Sequence, residues 1–165
     1  VLLQAKEGKS YQPVSHSDGR GGPALTGPGV HGRVRSIDRD QGEIKTEYIT
    51  MNGKDVFQFA VRKVPQVIQE VIELNTLSLE DVDWFVLHQA NARIVDAVAR
   101  RLHLEIDKFP MNLQEYGNTS SASIPILLNE LNKKGILKKG QRLVLAGFGA
   151  GLSWGASVLD WDLER

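Results

Sequence analysis

In the stretch FVLHQANARIV, Phe85 to Val95, an apolar run gives way to His88, Gln89 and Asn91 just where a helical pattern begins. His88 therefore stands at a strand end before a helix N-terminus, where open α/β sheets hold their ligands. As a neutral imidazole it could donate its N–H to an oxygen that gains negative charge. As a packed or loop histidine it would do nothing of the kind, and position alone does not decide. Further along, GNTSS offers Asn118. That residue is either an ordinary turn asparagine bonded to its own loop or a second donor. Were the two to converge, imidazole and carboxamide N–H groups aimed at one oxygen would suit an enolate or a tetrahedral intermediate. Spacing does not show that convergence.

Other chemistries fare less well. Ser120, Ser121 and Ser123 could belong to a Ser/His/Asp triad, but no G-x-S-x-G elbow is present. His16, His31 and His103 have no metal-ligand spacing to one another or to His88 and read as surface residues, so no metal site is expected. GFGAGLSWG, Gly147 to Gly155, follows an apolar strand as a dinucleotide loop would. However, Leu152 takes the place of the last glycine of G-x-G-x-x-G, and the residues after it alternate like a strand. A hairpin fits better, either a plain tight turn or one whose backbone approaches something closely. Arg93 lies in the first turn of its helix, where the dipole disfavours a cation, so another reason for it is needed.

These residues must be positioned by a small set of elements. Ile44 to Met51 can form a short strand, and NGKD, Asn52 to Asp55, supplies the cap of a long helix. Val56, Phe57, Ala60, Val61, Val64, Val67, Ile68, Val71 and Ile72 recur at three- and four-residue spacing along it, and Pro65 is expected to bend it. DWFVLH reads as a buried strand, and Asn91 caps a second helix with Ile94, Val95, Val98, Ala99 and Leu102 on one face. KFPMNL, Lys108 to Leu113, suggests another strand. Ile124, Leu127, Leu128 and Leu131 mark a third helix ending near Gly135. The pattern predicts an α/β fold: a mixed, mostly parallel sheet with helices packed on it, ending in an antiparallel hairpin.

Residues 8–43, rich in glycine and proline, read as an irregular connection that is functional or mobile, and residues 44–165 as the folded unit. Residues 1–7 resemble the end of a strand already under way, which with the missing initiator methionine suggests a fragment. The 165 residues suffice for one domain. With 20 basic and 20 acidic side chains there is no global field to attract nucleic acid or an anionic membrane surface. No apolar run approaches the roughly 20 residues of a membrane helix, so a cytoplasmic protein is expected. The chain has no cysteine, which excludes disulfides, thiolate ligands and a cysteine nucleophile within it.

Taken together, HQANARI, YGNTSSASIP, GFGAGLSWG and MNGKDVFQFAV resemble, in order and spacing, the C-terminal half of β-ketoacyl-acyl carrier protein synthase III, the condensing enzyme that starts type II fatty acid synthesis. The resemblance runs from about Ile44 to Trp161. It implies a thiolase-like fold and a Cys-His-Asn site in which His88 and Asn118 are the histidine and asparagine. The implied activity is an acyltransferase: decarboxylative Claisen condensation of a short acyl-CoA starter with malonyl-acyl carrier protein. His88 and Asn118 would stabilise the enolate formed as carbon dioxide leaves. The resemblance further implies that Gly53, Phe57 and Asn91 bind coenzyme A and pantetheine, and that Arg93 docks the acidic carrier protein. Phe148, Gly149 and Ala150 would form the active-site loop, with the Ala150 N–H in the acyl-transfer oxyanion hole. No cofactor is implied, acyl-CoA being a substrate, and the family's homodimer is expected. Its nucleophilic cysteine lies in an N-terminal half that these residues do not include, so that half is an expected partner. Two alternatives remain: another thiolase-fold condensing enzyme, such as a polyketide starter synthase, and a non-catalytic half-domain that binds carrier protein.

Overall fold

Asn52 starts the longest element of the chain. Its side-chain oxygen accepts the Asp55 N–H at 3.2 Å, and helix α1 follows from Gly53 to Leu74. This computed structural model describes residues 10–27 and 49–163. Every apolar position anticipated on the inner face of α1 is buried except Phe57, which is half-buried because it borders a cavity. Pro65 is buried within the helix, which continues on both sides of it.

The main sheet has the order β1-β6-β5-β4. Strand β4, Trp84–Leu87, runs parallel to β5, Arg142–Gly149, with Leu87 opposite Ala146. Strand β6, Ser153–Asp160, returns antiparallel to β5, and β1, Val14–Ser17, adds antiparallel to its far side. A separate ribbon pairs β2, Leu25–Thr26, with β3, Thr50–Met51. Between β4 and β5 lie helices α2, Ala92–Leu102, α3, Leu113–Tyr116, and α4, Ser123–Lys133. Helix α2 starts at the expected cap, with Asn91 Oδ1 accepting the Arg93 N–H at 2.9 Å, and buries all five anticipated apolar residues. It ends at His103, whose φ of 57° makes the left-handed C-terminal turn.

Both faces of β4 are covered, which is why it reads as an unbroken apolar run. Phe85 and Leu87 on β4, with Val144 and Ala146 on β5, face the cluster formed by α1 and α2. Val86 and Leu143 face Leu127 and Leu131 of α4. The α4 face is the thinner one: Ile124 and Leu128 are only half-buried. Among the described residues no helix is long and apolar enough to cross a membrane.

Several expectations are corrected. The sheet is mixed as expected, but among the described residues one pairing, β4–β5, is parallel and two are antiparallel: the anticipated hairpin and an edge strand from the Gly/Pro-rich segment. Within residues 8–43, Val14–Ser17 is that edge strand, and Gly19–Ala24 forms a short 3-10 turn. The strand is made by its partner: a Cβ on Gly155 would lie 2.8 Å from the Val14 carbonyl oxygen, so glycine there lets the two backbones pair. Of the strand anticipated over Ile44 to Met51, only Thr50–Met51 forms a strand; residues 44–48 lie outside the described residues, as do 1–7 and 28–43. Lys108 to Leu113 is no strand. A 3-10 turn at Ile106–Lys108 takes its first residue, Pro110 cannot donate to a ladder, and Phe109 stacks on Phe85 with centroids 4.9 Å apart. The apolar residue anchors a turn under the sheet.

Candidate active site

His88 extends the parallel ladder one residue past β4, its backbone N–H donating to the Ala146 carbonyl at 2.9 Å. The ring is thereby held at the C-terminal edge of the sheet, beside the end of β5. Phe148 meets it edge-on, centroids 5.3 Å apart and planes at 69°. On its other side Ser123 Oγ, at the start of α4, lies 2.7 Å from Nδ1. Burial holds the imidazole pKa below its ordinary 6.5, since a charged ring would lose solvation there without gaining a counter-charge. Burial therefore favours the neutral ring.

Next to it lies a polar network that sequence reasoning missed. Gln89 is 1% exposed, yet both ends of its amide are used: Nε2 donates to the Leu87 carbonyl at 2.8 Å, and Oε1 accepts the Asn112 N–H at 3.2 Å. The Gln89 backbone N–H donates to Ser123 Oγ at 3.2 Å. Asn112 continues to Glu130 on α4 at 2.9 Å. The loop after β4 is thus tied to the segment before α3 and to α4. A polar residue inside an otherwise apolar transition was the available signal for Gln89.

Asn118 is exposed, on the turn between α3 and α4. Its Oδ1 accepts the Ser120 N–H at 2.9 Å, which is the local turn bond, and this orientation leaves the Nδ2 hydrogens as donors. The turn reading and the donor reading are thus compatible. Asn118 lines a cavity of about 540 Å³ together with Gly53, Phe57, Asn91 and Arg93, residues drawn from the start of α1, the start of α2 and the turn before α4. Arg93 lies over the Phe57 ring, 5.6 Å from its centroid, which gives that cation a partner despite its place at a helix N-terminus. His88 does not line this cavity.

Phe148, Gly149 and Ala150 close β5 and border a second concavity with His16 and Trp154. Gly151 turns the chain at a φ of 135°, where a Cβ would collide with Ser153 Oγ. His16 bonds Glu70 at 2.7 Å and His103 is an exposed helix terminator, while His31 lies outside the described residues. A Ser-His pair does exist in Ser123 and His88. Among the described residues no carboxylate bonds the ring, however, and Ser123 is 2% exposed. The pair lacks both the third member and the accessible hydroxyl of a hydrolytic triad. Among the described residues no cluster of His, Asp or Glu is placed to hold a metal.

Residues 72–161 match the family described as 3-oxoacyl-[acyl-carrier-protein] synthase III C terminal. The chain is 46% identical over 145 residues to β-ketoacyl-[acyl-carrier-protein] synthase III of Clostridium acetobutylicum, covering 88% of this chain and 44% of that protein. The crystal structure of the synthase III from Thermus thermophilus superposes with a TM-score of 0.82 at 40% identity, over 96% of this chain and 48% of that one. A priming β-ketosynthase from the R1128 polyketide pathway gives a TM-score of 0.79 at 30% identity, over 92% of this chain and 45% of that one. The chain spans half or less of the length of the curated relatives it matches.

Proposed function

The chain belongs to the β-ketoacyl-[acyl-carrier-protein] synthase III family and has the thiolase-like fold of its C-terminal half, and on that premise we propose that it stabilises the enolate of a decarboxylating malonyl thioester during fatty acid initiation. The observation that supports this most directly is that both side chains are kept as donors. Burial favours the neutral form of His88, and the Ser120 N–H takes the Asn118 oxygen, an orientation that leaves its amide hydrogens as donors.

In this reading a cysteine thiolate of the N-terminal half takes an acyl group from acyl-CoA, releasing coenzyme A. The Ala150 N–H receives the negative oxygen of that tetrahedral intermediate. Malonyl-acyl carrier protein then enters. Its C–C bond to the carboxylate breaks, carbon dioxide leaves, and the electron pair passes to the thioester oxygen facing His88 and Asn118. The enolate carbon attacks the acyl-cysteine, forming the new C–C bond and expelling the thiolate. The proposal needs no resident cofactor.

The cavity shared by Gly53, Phe57, Asn91, Arg93 and Asn118 suits the pantetheine arm of either substrate. Arg93 at its rim would meet the acidic carrier protein. A cytoplasmic homodimer containing both halves completes the reading. The likeness to a polyketide priming ketosynthase supports a second reading in which the same chemistry starts a polyketide.

The test is a chimera in which this chain replaces the matching C-terminal part of the Clostridium acetobutylicum protein. Carbon dioxide release from malonyl-acyl carrier protein, abolished by His88→Ala while cysteine acylation persists, is the expected result. Lost acylation with intact decarboxylation would reverse the assigned roles. A folded chimera that binds carrier protein but never decarboxylates would leave the non-catalytic module standing instead. Comparing acetyl-CoA with longer starters separates the fatty acid reading from the polyketide one.

A further inference from the structure

Ser123, the first residue of α4, is 2% exposed, and its Oγ has two neighbours: His88 Nδ1 at 2.7 Å and the Gln89 backbone nitrogen at 3.2 Å. The Gln89 N–H can only donate, so it occupies a lone pair of the hydroxyl oxygen. The hydroxyl's own hydrogen needs an acceptor, because a buried donor left without one is costly. Among the described residues Nδ1 is the acceptor in reach. Were Nδ1 protonated, two N–H donors would face one oxygen and the serine hydrogen would be stranded.

A neutral imidazole that accepts at Nδ1 carries its hydrogen on Nε2. We infer that Ser123 is a positioning residue which donates to His88 Nδ1 and so fixes the tautomer in which Nε2–H is the donor offered to substrate. The inference rests on the proposed role of His88. The opposite tautomer would present a lone pair to the enolate oxygen and repel it. Phe148, edge-on to the ring, restrains its rotation, and neither it nor Ser123 titrates. Ser123 thereby acts through His88 and does not touch the reacting atoms. The same oxygen holds the Gln89 N–H, so one hydroxyl fixes both the loop and the proton placement.

The test reads the imidazole nitrogens of the ¹⁵N-labelled 165-residue chain by NMR, the His88 signals being assigned by their loss in His88→Gln. The expected result at neutral pH is a neutral ring with its hydrogen on Nε2, and a hydrogen on Nδ1 overturns the inference. Titration gives an independent sign. Removing a hydrogen bond made to the neutral ring favours the charged form, so Ser123→Ala should move the His88 midpoint upward. Ser123→Thr, which keeps the hydroxyl, should leave it near the parent. A downward shift in the alanine variant would show that Nδ1 was the donor. Should the alanine variant not fold, Ser123→Cys, with its weaker S–H donor, should give a smaller upward shift. In the chimera, Ser123→Ala should slow decarboxylation roughly tenfold, short of the ~10²–10³ for removing a donor outright. A chimera that never decarboxylates refutes the catalytic reading and leaves the tautomer result intact. An Nδ1–H ring in a chimera that does decarboxylate refutes only the role of Ser123.

Discussion

His88 and Asn118, the two donors of the proposed reaction, are held by opposite means. His88 is half-buried, continues the backbone ladder of β4, leans on Phe148 and bonds a buried serine. Asn118 is exposed and kept in place by one bond within its own turn. The same division runs through their neighbours. Gln89, Asn112 and Ser123 are buried polar residues with interlocking bonds, whereas Asn91, Arg93 and Gly53 are exposed around an open cavity. The contrast teaches that on the buried side any role in the proposed chemistry is tied to stability, so its residues cannot be changed for one without the other. The exposed side can be altered with little effect on the fold.

The sharpest way to break that comparison is Asn118→Asp. The new carboxylate still accepts the Ser120 N–H but offers the enolate no donor, so decarboxylation by the chimera should fall ~10²–10³-fold. The unfolding free energy from urea titration should meanwhile change by less than about 0.5 kcal/mol. Gln89→Leu should do the reverse of what an exposed change does. It strips a partner from the Asn112 N–H and the Leu87 carbonyl, and urea unfolding should show a loss of about 2–3 kcal/mol. Asn91→Ala tests whether an exposed residue is free of structural duty. Loss of the cap on the Arg93 N–H should cost about 1 kcal/mol, and a loss near zero would make the division cleaner than the structure implies.

His88 supplies a pH signature with a defined sign. Its folded pKa lies below the ordinary 6.5, so the unfolded chain binds the proton more readily. Stability attributable to the ring should be unpenalised above about pH 6.5 and should fall as pH drops from there toward the lower folded value. Paired urea titrations of the parent and His88→Gln at about pH 7.5 and about pH 5.5 isolate the effect, since the variant lacks it. Equal pH dependence would mean the ring is better solvated than its surroundings indicate. Arg93→Ala should produce the smallest change in stability, within about 0.5 kcal/mol, because among the described residues its contact with Phe57 is the one lost. Its measurable effect should be weaker binding of an anionic partner, fading as salt is raised.

The exposed side was the legible one. Its residues are carried by local signals: Asn52 and Asn91 cap helices that begin where the apolar spacing says they should. Family motifs named Gly53, Phe57, Asn91, Arg93 and Asn118, which the fold then brings to one cavity. The buried side was legible only in His88. Ser123 was visible as one of several serines in a turn, and nothing local marked it as the one whose hydroxyl reaches the ring. Gln89 looked like part of a polar cluster, whereas its side-chain oxygen is held by Asn112, from a segment expected to be a strand. The same failure explains Val14–Ser17. A strand whose pairing depends on a glycine near the other end of the chain has no local signature, just as Phe109 gives no sign that it stacks under β4 instead of joining it.

The turn after β5 carries a further consequence of how β1 is placed. Asp18 and Leu152 exchange backbone bonds, Asp18 N–H to the Leu152 oxygen at 2.8 Å and Leu152 N–H to the Asp18 oxygen at 3.0 Å. They extend the β1–β6 ladder to the end of the loop that holds Ala150. Contacts between residues so far apart in sequence carry a large loop-closure entropy and are slow to form in folding. The loop should therefore acquire its final shape only after the two ends of the described chain have met. Hydrogen exchange during refolding should show protection at Leu152 arising later than at the α1 amides, so that the loop holding Ala150 is among the last parts of the molecule to become ordered.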